Sequence, residues 1–231
     1  MQISPDNSIL WQKGFISLNC TILFTWLVMF IMTFISWLVT RCLSSDVKMT
    51  RGQNLLESIV TGIVQQIRGV NREKPEQLLP FLGTLFLFIA ICNLLSIVPG
   101  FKPPTGSLST TAALALIVFV SIPCYGISHS GLKYYLGNYI RPSLFMLPFN
   151  IMSEISRTMA LAVRLFGNIM SGSMIAAILL SLAPLVLPVI MQAFGLLTGL
   201  VQAYIFAVLA AVYITAGFKV HGDKKEKTGI F

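Results

Sequence analysis

The chain has 231 residues, of which 55% are hydrophobic and 10% charged, against about 25% charged in an average soluble domain. With 16 basic and 8 acidic residues, the net charge is +8. The mean hydropathy is +0.82. These values exclude an ordinary soluble enzyme, a disordered chain and a secreted disulfide scaffold, and leave an integral membrane protein. The basic excess therefore has to be located relative to a membrane before it is read as a footprint for nucleic acid, and no nucleic acid partner is expected.

The first 19 residues read as an outer N-terminal segment without a removable signal peptide. Residues 20–40 form the first expected span, long enough to cross the hydrocarbon core, with Trp26 inside it and Trp37 near one end. Arg41, Lys48 and Arg51 follow and open a cytoplasmic segment, 41–76. Within it, Leu55, Leu56, Ile59, Val60, Ile63, Val64 and Ile67 recur at helical spacing. That pattern predicts an amphipathic helix, either on the membrane surface or packed on a partner protein.

Residues 77–127 read as a helical hairpin. Its first arm runs from Gln77 to a stop at Pro99 and Gly100, and the Phe101–Gly106 turn leads into the second arm, which carries Pro123. The polar stretch 128–141 is expected to be a cytoplasmic loop. Residues 142–218 form the last unit. Leu165–Phe218 contains no charge, and Pro184 and Pro188 divide it. Helices from about 150 to 182 and from about 185 to 218 would each be roughly 50 Å long, against a hydrocarbon core of about 30 Å. Such helices must tilt strongly or be broken. The fold class expected is all-α: a polytopic membrane protein of one domain, 1–231, with about five membrane helices, a surface amphipathic helix and two long tilted C-terminal helices.

Five crossings place the two termini on opposite sides. With the 219–231 tail cytoplasmic, the tail and the segments 41–76 and 128–141 hold four, six and two basic residues, twelve of the 16 in the chain. The positive-inside rule thus explains most of the charge and puts the N-terminus outside. The cysteines Cys20, Cys42, Cys92 and Cys124 form no CxxC pair and read as packing residues.

Two arginines remain inside the apolar part. An intramembrane arginine costs at least about 2.5–3.5 kcal/mol on insertion scales and stays protonated. Arg157 has Glu154 three residues away, a spacing that permits an ion pair. Arg164 has no acid at helical spacing. Asn150, Glu154, Arg157, Leu161, Arg164, Asn168 and Ser171 step by three or four and share one helix face. Such a stripe suits a hydrated cavity or a partner bearing polar groups. On the next helix Gly195, Gly199, Ala203, Ala207 and Ala211 form a small-residue face. Gln202 lies beside it, with the arginine stripe as its candidate partner. No motif for covalent catalysis, metal binding or a nucleotide cofactor occurs, so no catalytic residue, metal or cofactor is expected.

The run Arg164–Asn168, RLFGN, followed by Gln202–Ile214, QAYIFAVLAAVYI, resembles subunit a of the F-type ATP synthases, in its bacterial and plastid forms. Asn93-Leu94-Leu95, Pro103-Pro104-Thr105 and Leu147-Pro148-Phe149 extend the resemblance over roughly 75–218. It implies a non-catalytic membrane stator beside a rotating ring of c subunits, with peripheral-stalk b subunits, an indirect link to the F1 sector, and lipid as surroundings. The family's essential arginine matches Arg164, and its asparagine and glutamine match Asn168 and Gln202. These are the expected ion-translocation residues; Glu154, Arg157, Ser171 and Ser173 are candidate half-channel lining. Glu154 either lines the cytoplasmic half-channel or neutralises Arg157. The resemblance implies a bacterial plasma membrane or, alternatively, a thylakoid membrane.

The chain departs from the family where relatives carry titratable groups. Ser173, Gly195, Asn93 and Ser96 stand at such positions, and Thr105–Thr111 reads TGSLSTT. Either ordered water carries H⁺, the first expectation, or the coupling ion is Na⁺, which needs oxygen ligands but no proton relay. A secondary transporter with an arginine gate is the alternative function; no inverted repeat supports it. An intramembrane enzyme is disfavoured by the missing nucleophile and metal motifs.

Overall fold

The computed structural model describes residues 9–13, 16–41, 57, 60–65, 69, 75–98, 101–131, 146–182 and 187–219. Five long helices dominate them: α1 (Cys20–Arg41), α2 (Pro75–Leu95), α3 (Leu108–Ser130), α4 (Met146–Leu182) and α5 (Leu187–Lys219). All five are long and apolar enough to cross a membrane. The chain is an all-α polytopic membrane protein. One short addition precedes α1: Ile9–Lys13 pairs antiparallel with Ile16–Asn19, and alternating Ile16 and Leu18 suit such a ribbon.

Four of the helices share a core. Leu78, Leu82, Leu85 and Ile89 of α2 repeat at four, three and four residues and are all buried, forming one apolar stripe. They meet Leu114, Ala115, Val118 and Ile122 of α3, Leu161, Ala162 and Leu165 of α4, and Ala203, Phe206, Ala210, Ala211 and Ile214 of α5. Among the described residues, the principal contacts of helix α1 are with α2, the strand Ile16–Asn19 and the turn between α2 and α3. Its exposed side carries Trp26, Phe30, Phe34 and Trp37.

Both long helices run unbroken. Helix α4 has 37 residues and α5 has 33, so a break is not how they accommodate their length. Pro148 falls in the first turn of α4 and Pro188 in the first turn of α5, where a missing N–H removes no intrahelical bond. Only 6% of the apolar window of α4 is buried, against 39% for α5. Helix α4 is therefore a flank of the bundle, whereas α5 runs through its packing.

Two boundaries differ from the sequence reading. Helix α2 stops at Leu95, short of Pro99, because the chain tightens there: Ser96 N–H donates to Asn93 O at 3.2 Å and Val98 N–H to Leu95 O at 3.0 Å. The Ser96 hydroxyl also donates to Asn93 O at 2.6 Å, competing with the helical bond. Helix α3 runs through Ser128 and ends at Ser130, so the polar loop begins later than 128. Gly131 closes it at φ 80, with its N–H bonded to Ile127 O at 2.8 Å; that φ favours glycine.

In the amphipathic segment, residues 57, 60–65 and 69 are helical, and Ile63 packs against the core. Most of 41–76, the loop after Gly131, Pro184, Cys42 and the tail beyond Lys219 lie outside the described residues. Of the other cysteines, Cys92 is buried, Cys20 is half-buried and Cys124 is exposed. Only Cys92 thus packs as a core residue.

Candidate functional site

Helix α4 sets the position of Arg164. Leu161 and Leu165, three residues before it and one after, are buried in the core. A step of 100° from Leu165 turns Arg164 outward, where it is exposed. Around it the exposed surface is apolar, with Met159, Val163, Ile175 and Ile178. Among the described residues of α4, the guanidinium shares the exposed side with one other charge, Arg157, two turns earlier. Asn168, one turn further, is half-buried, and Ser171 and Ser173 are exposed. Both hydroxyls are tied back locally, Ser171 to Asn168 O at 3.3 Å and Ser173 to Met170 O at 2.8 Å.

Towards the start of α4, Glu154 is half-buried and Arg157 exposed. The Arg157 guanidinium lies over the Tyr213 ring of α5, 5.6 Å from its centroid, within cation–π range. The sequence reading offered only Glu154 as its partner. Tyr213 is three turns past Gln202 on the same helix, a spacing that could have suggested it.

The polar stripe of α4 therefore follows the rim between core and exterior. Leu161 interrupts it on the buried side; Arg157, Arg164 and Ser171 lie on the exposed side.

Gln202 sits on the other side of this rim. It is buried, and its Nε2 has no hydrogen-bond partner among the described residues. No acceptor of the polar stripe of α4 reaches this nitrogen, and the arginines, which only donate, could serve its Oε1 alone. The face of α4 turned inward is the leucine face, and Arg164 points away from it. A buried donor left unpaired is costly.

Among the described residues, three other buried polar atoms share that condition: Asn93 Oδ1, Thr105 Oγ1 and Thr215 Oγ1. Asn93 is held firmly, for its Nδ2 donates to Gly199 O at 2.7 Å. The fixed donor leaves Oδ1 as the open acceptor. The turn Pro104–Gly106 is fully buried and wedges against α4; a Cβ at Gly106 would lie 3.2 Å from Ile169 Cγ2. Thr105 is thereby carried next to the stretch that follows Arg164.

The small-residue face of α5 begins later than its sequence suggests. Gly195 is exposed, whereas Gly199, Ala203, Ala207 and Ala211 are buried. Sequence reasoning located Arg164 and Gln202 but did not connect Asn93 with Gly199, Tyr213 with Arg157, or Gln192 with the end of α2. Among the described residues, no group of three His, Cys, Asp or Glu side chains comes together.

Comparison with known proteins agrees with the features above. The family model described as ATP synthase A chain matches residues 22–215. The chain is 57% identical over 220 residues to "ATP synthase subunit a 2" of Acaryochloris marina, covering 95% of this chain and 94% of that one. It is 57% identical over 226 residues to "ATP synthase subunit a" of Albidiferax ferrireducens, covering 98% of each. It is 58% identical over 216 residues to "ATP synthase subunit a 1" of Chlorobaculum parvum, covering 94% of this chain and 96% of that one.

Proposed function

The chain belongs to the ATP synthase A chain family, and on that premise we propose that it is the ion-conducting stator of the membrane sector, working against a ring of c subunits. The observation that carries this reading is the exposure of Arg164 on the apolar flank of α4, with Leu161 and Leu165 buried behind it. A permanent cation in that setting calls for an anion from outside the chain.

A ring carboxylate supplies it. In lipid that carboxylate stays neutral, with H⁺ or Na⁺ bound, because an unpaired charge there is costly. Opposite Arg164 the fixed positive charge favours the ionised form, and the bound ion is expelled. The ion leaves through one half-channel, and the vacated carboxylate is refilled from the other. Arg164 also repels cations and so prevents a leak between the two passages. Ring rotation is thereby coupled to ion flow, and through the F1 sector to ATP synthesis or hydrolysis.

The other roles follow from position. Asn168 and Gln202 present amides beside the arginine layer. Glu154 and Arg157 line the cytoplasmic passage, and Ser171 and Ser173 the opposite one. H⁺ is the first reading for the ion. The peripheral-stalk b subunits hold the chain against the ring, and the membrane is the bacterial plasma membrane.

Cross-linking tests the arrangement. With the native cysteines replaced by serine in the assembled synthase, a cysteine at Ser171 forms a disulfide with a cysteine on the outer helix of the ring. A cysteine at Trp26, on the far face of α1, forms none. Cross-linking from Trp26 and not from Ser171 overturns the proposed face.

A further inference from the structure

We propose that Gln192 is a positioning residue for Gln202, holding α5 in one rotational setting against the end of α2. The proposal rests on the reading of Gln202 as part of the ion path.

Beyond Leu95 the chain closes i to i+3 bonds, and among the described residues no backbone donor meets the carbonyls of Ser96 and Ile97. In an apolar surrounding such carbonyls must find partners. Gln192 provides one donor for both: its Nε2 lies 3.2 Å from Ser96 O and 3.4 Å from Ile97 O. This latch joins residues 96 and 95 positions apart in sequence.

A second tie lies further along the same seam. Gly199 is seven residues, or two turns, beyond Gln192, so both positions occupy one face of α5. There Asn93 Nδ2 donates to Gly199 O at 2.7 Å, and a Cβ on Gly199 would stand 2.8 Å from Asn93 Cγ. The approach of the two helices is as close as a glycine allows.

Gln202 is the next residue on this face, three beyond Gly199. Its buried Nε2 has no partner, so no hydrogen bond from that nitrogen fixes the side chain. Its placement depends on where α5 stands. The core members of α5 begin at Ala203, and its turns before Gly199 are mostly exposed; the latch at Gln192 sets the angle at which those turns lie on α2, and with it the setting of the helix that carries Gln202. Gln192 is itself exposed, so losing it opens no cavity in the core and leaves the apolar packing intact.

The test is a double-mutant cycle in the purified, complete ATP synthase reconstituted into vesicles. ATP-driven uptake is read with a pH-sensitive dye and with radiolabelled Na⁺, and expressed per assembled complex. Gln192→Leu removes the donor, and Gln192→Met does so with an unbranched side chain. Either lowers uptake by about two- to tenfold, the range corresponding to the net value of a hydrogen bond. In a Gln202→Leu background the same substitutions produce no further loss, because their effect passes through Gln202. A latch that is merely structural subtracts its share in both backgrounds. An undiminished rate in both Gln192 variants overturns the proposal, as does an equal fold-loss with and without Gln202. If Gln202→Leu alone runs at the unmodified rate, the reading of Gln202 fails, and the proposal fails with it.

Discussion

Asn93 and Gly199 define each other: the carboxamide of one donates to the backbone carbonyl of the other at 2.7 Å, across the space a side chain would otherwise fill. A Cβ at Gly199 would lie 2.8 Å from Asn93 Cγ and 3.0 Å from its Nδ2. Gly199→Ala must therefore push α5 away from α2 and strain this bond. The expected destabilisation is about 1–3 kcal/mol, as for other overpacked cores. It appears as a lower midpoint for thermal release of the subunit from the solubilised complex. Gly195→Ala, where nothing lies within 4 Å, leaves the midpoint unchanged.

Gln202 separates stability from function. Its Nε2 already lacks a partner, so Gln202→Leu discards an unsatisfied donor and does not lower the release midpoint. ATP-driven uptake nevertheless falls by about tenfold, the equivalent of one hydrogen bond to a charged group. A variant that loses stability but transports at the full rate would assign Gln202 to packing.

The Arg157–Tyr213 contact makes a prediction about the ring rather than the hydroxyl. The guanidinium stands 5.6 Å from the ring centroid, and an exposed pair of this kind is worth about 0.5–1 kcal/mol. Tyr213→Phe keeps the ring and should transport normally. Tyr213→Leu lets Arg157 leave the rim and should slow uptake by about two- to fivefold, the same energy expressed as a rate. Equal initial rates in the two variants would show that the stacking has no part in transport.

These contacts mark how far the sequence could be read. The length of α4 and α5 was legible, because an uncharged run divided by Pro184 and Pro188 permits little else, and the isolated charge of Arg164 stood out against it. Whether those helices were continuous was not legible, since their apolar residues suit either case. Periodicity showed that α5 has a small-residue face but not where it enters the core; that depends on Asn93, 106 positions away. Nor could it show that Leu161 and Leu165 would take the inward side of α4 and so turn Arg164 outward. The early stop of α2 depends on a hydroxyl, Ser96 onto Asn93 O at 2.6 Å, which competes with helix continuation at close range. Local chemistry of this kind is visible in the residue type, but its outcome is decided by the carbonyls around it.

In the proposed cycle Arg164 is the fixed charge that discharges a partner's carboxylate, and ATP-driven ion uptake reads that step. The measurement compares the intact complex with its Arg164→Ala variant in Na⁺-free and Na⁺-containing vesicles. The variant is expected to assemble, because the side chain is exposed and contributes nothing to the core, and to accumulate neither H⁺ nor Na⁺. Accumulation of either ion at the rate of the unmodified complex would contradict that role of Arg164.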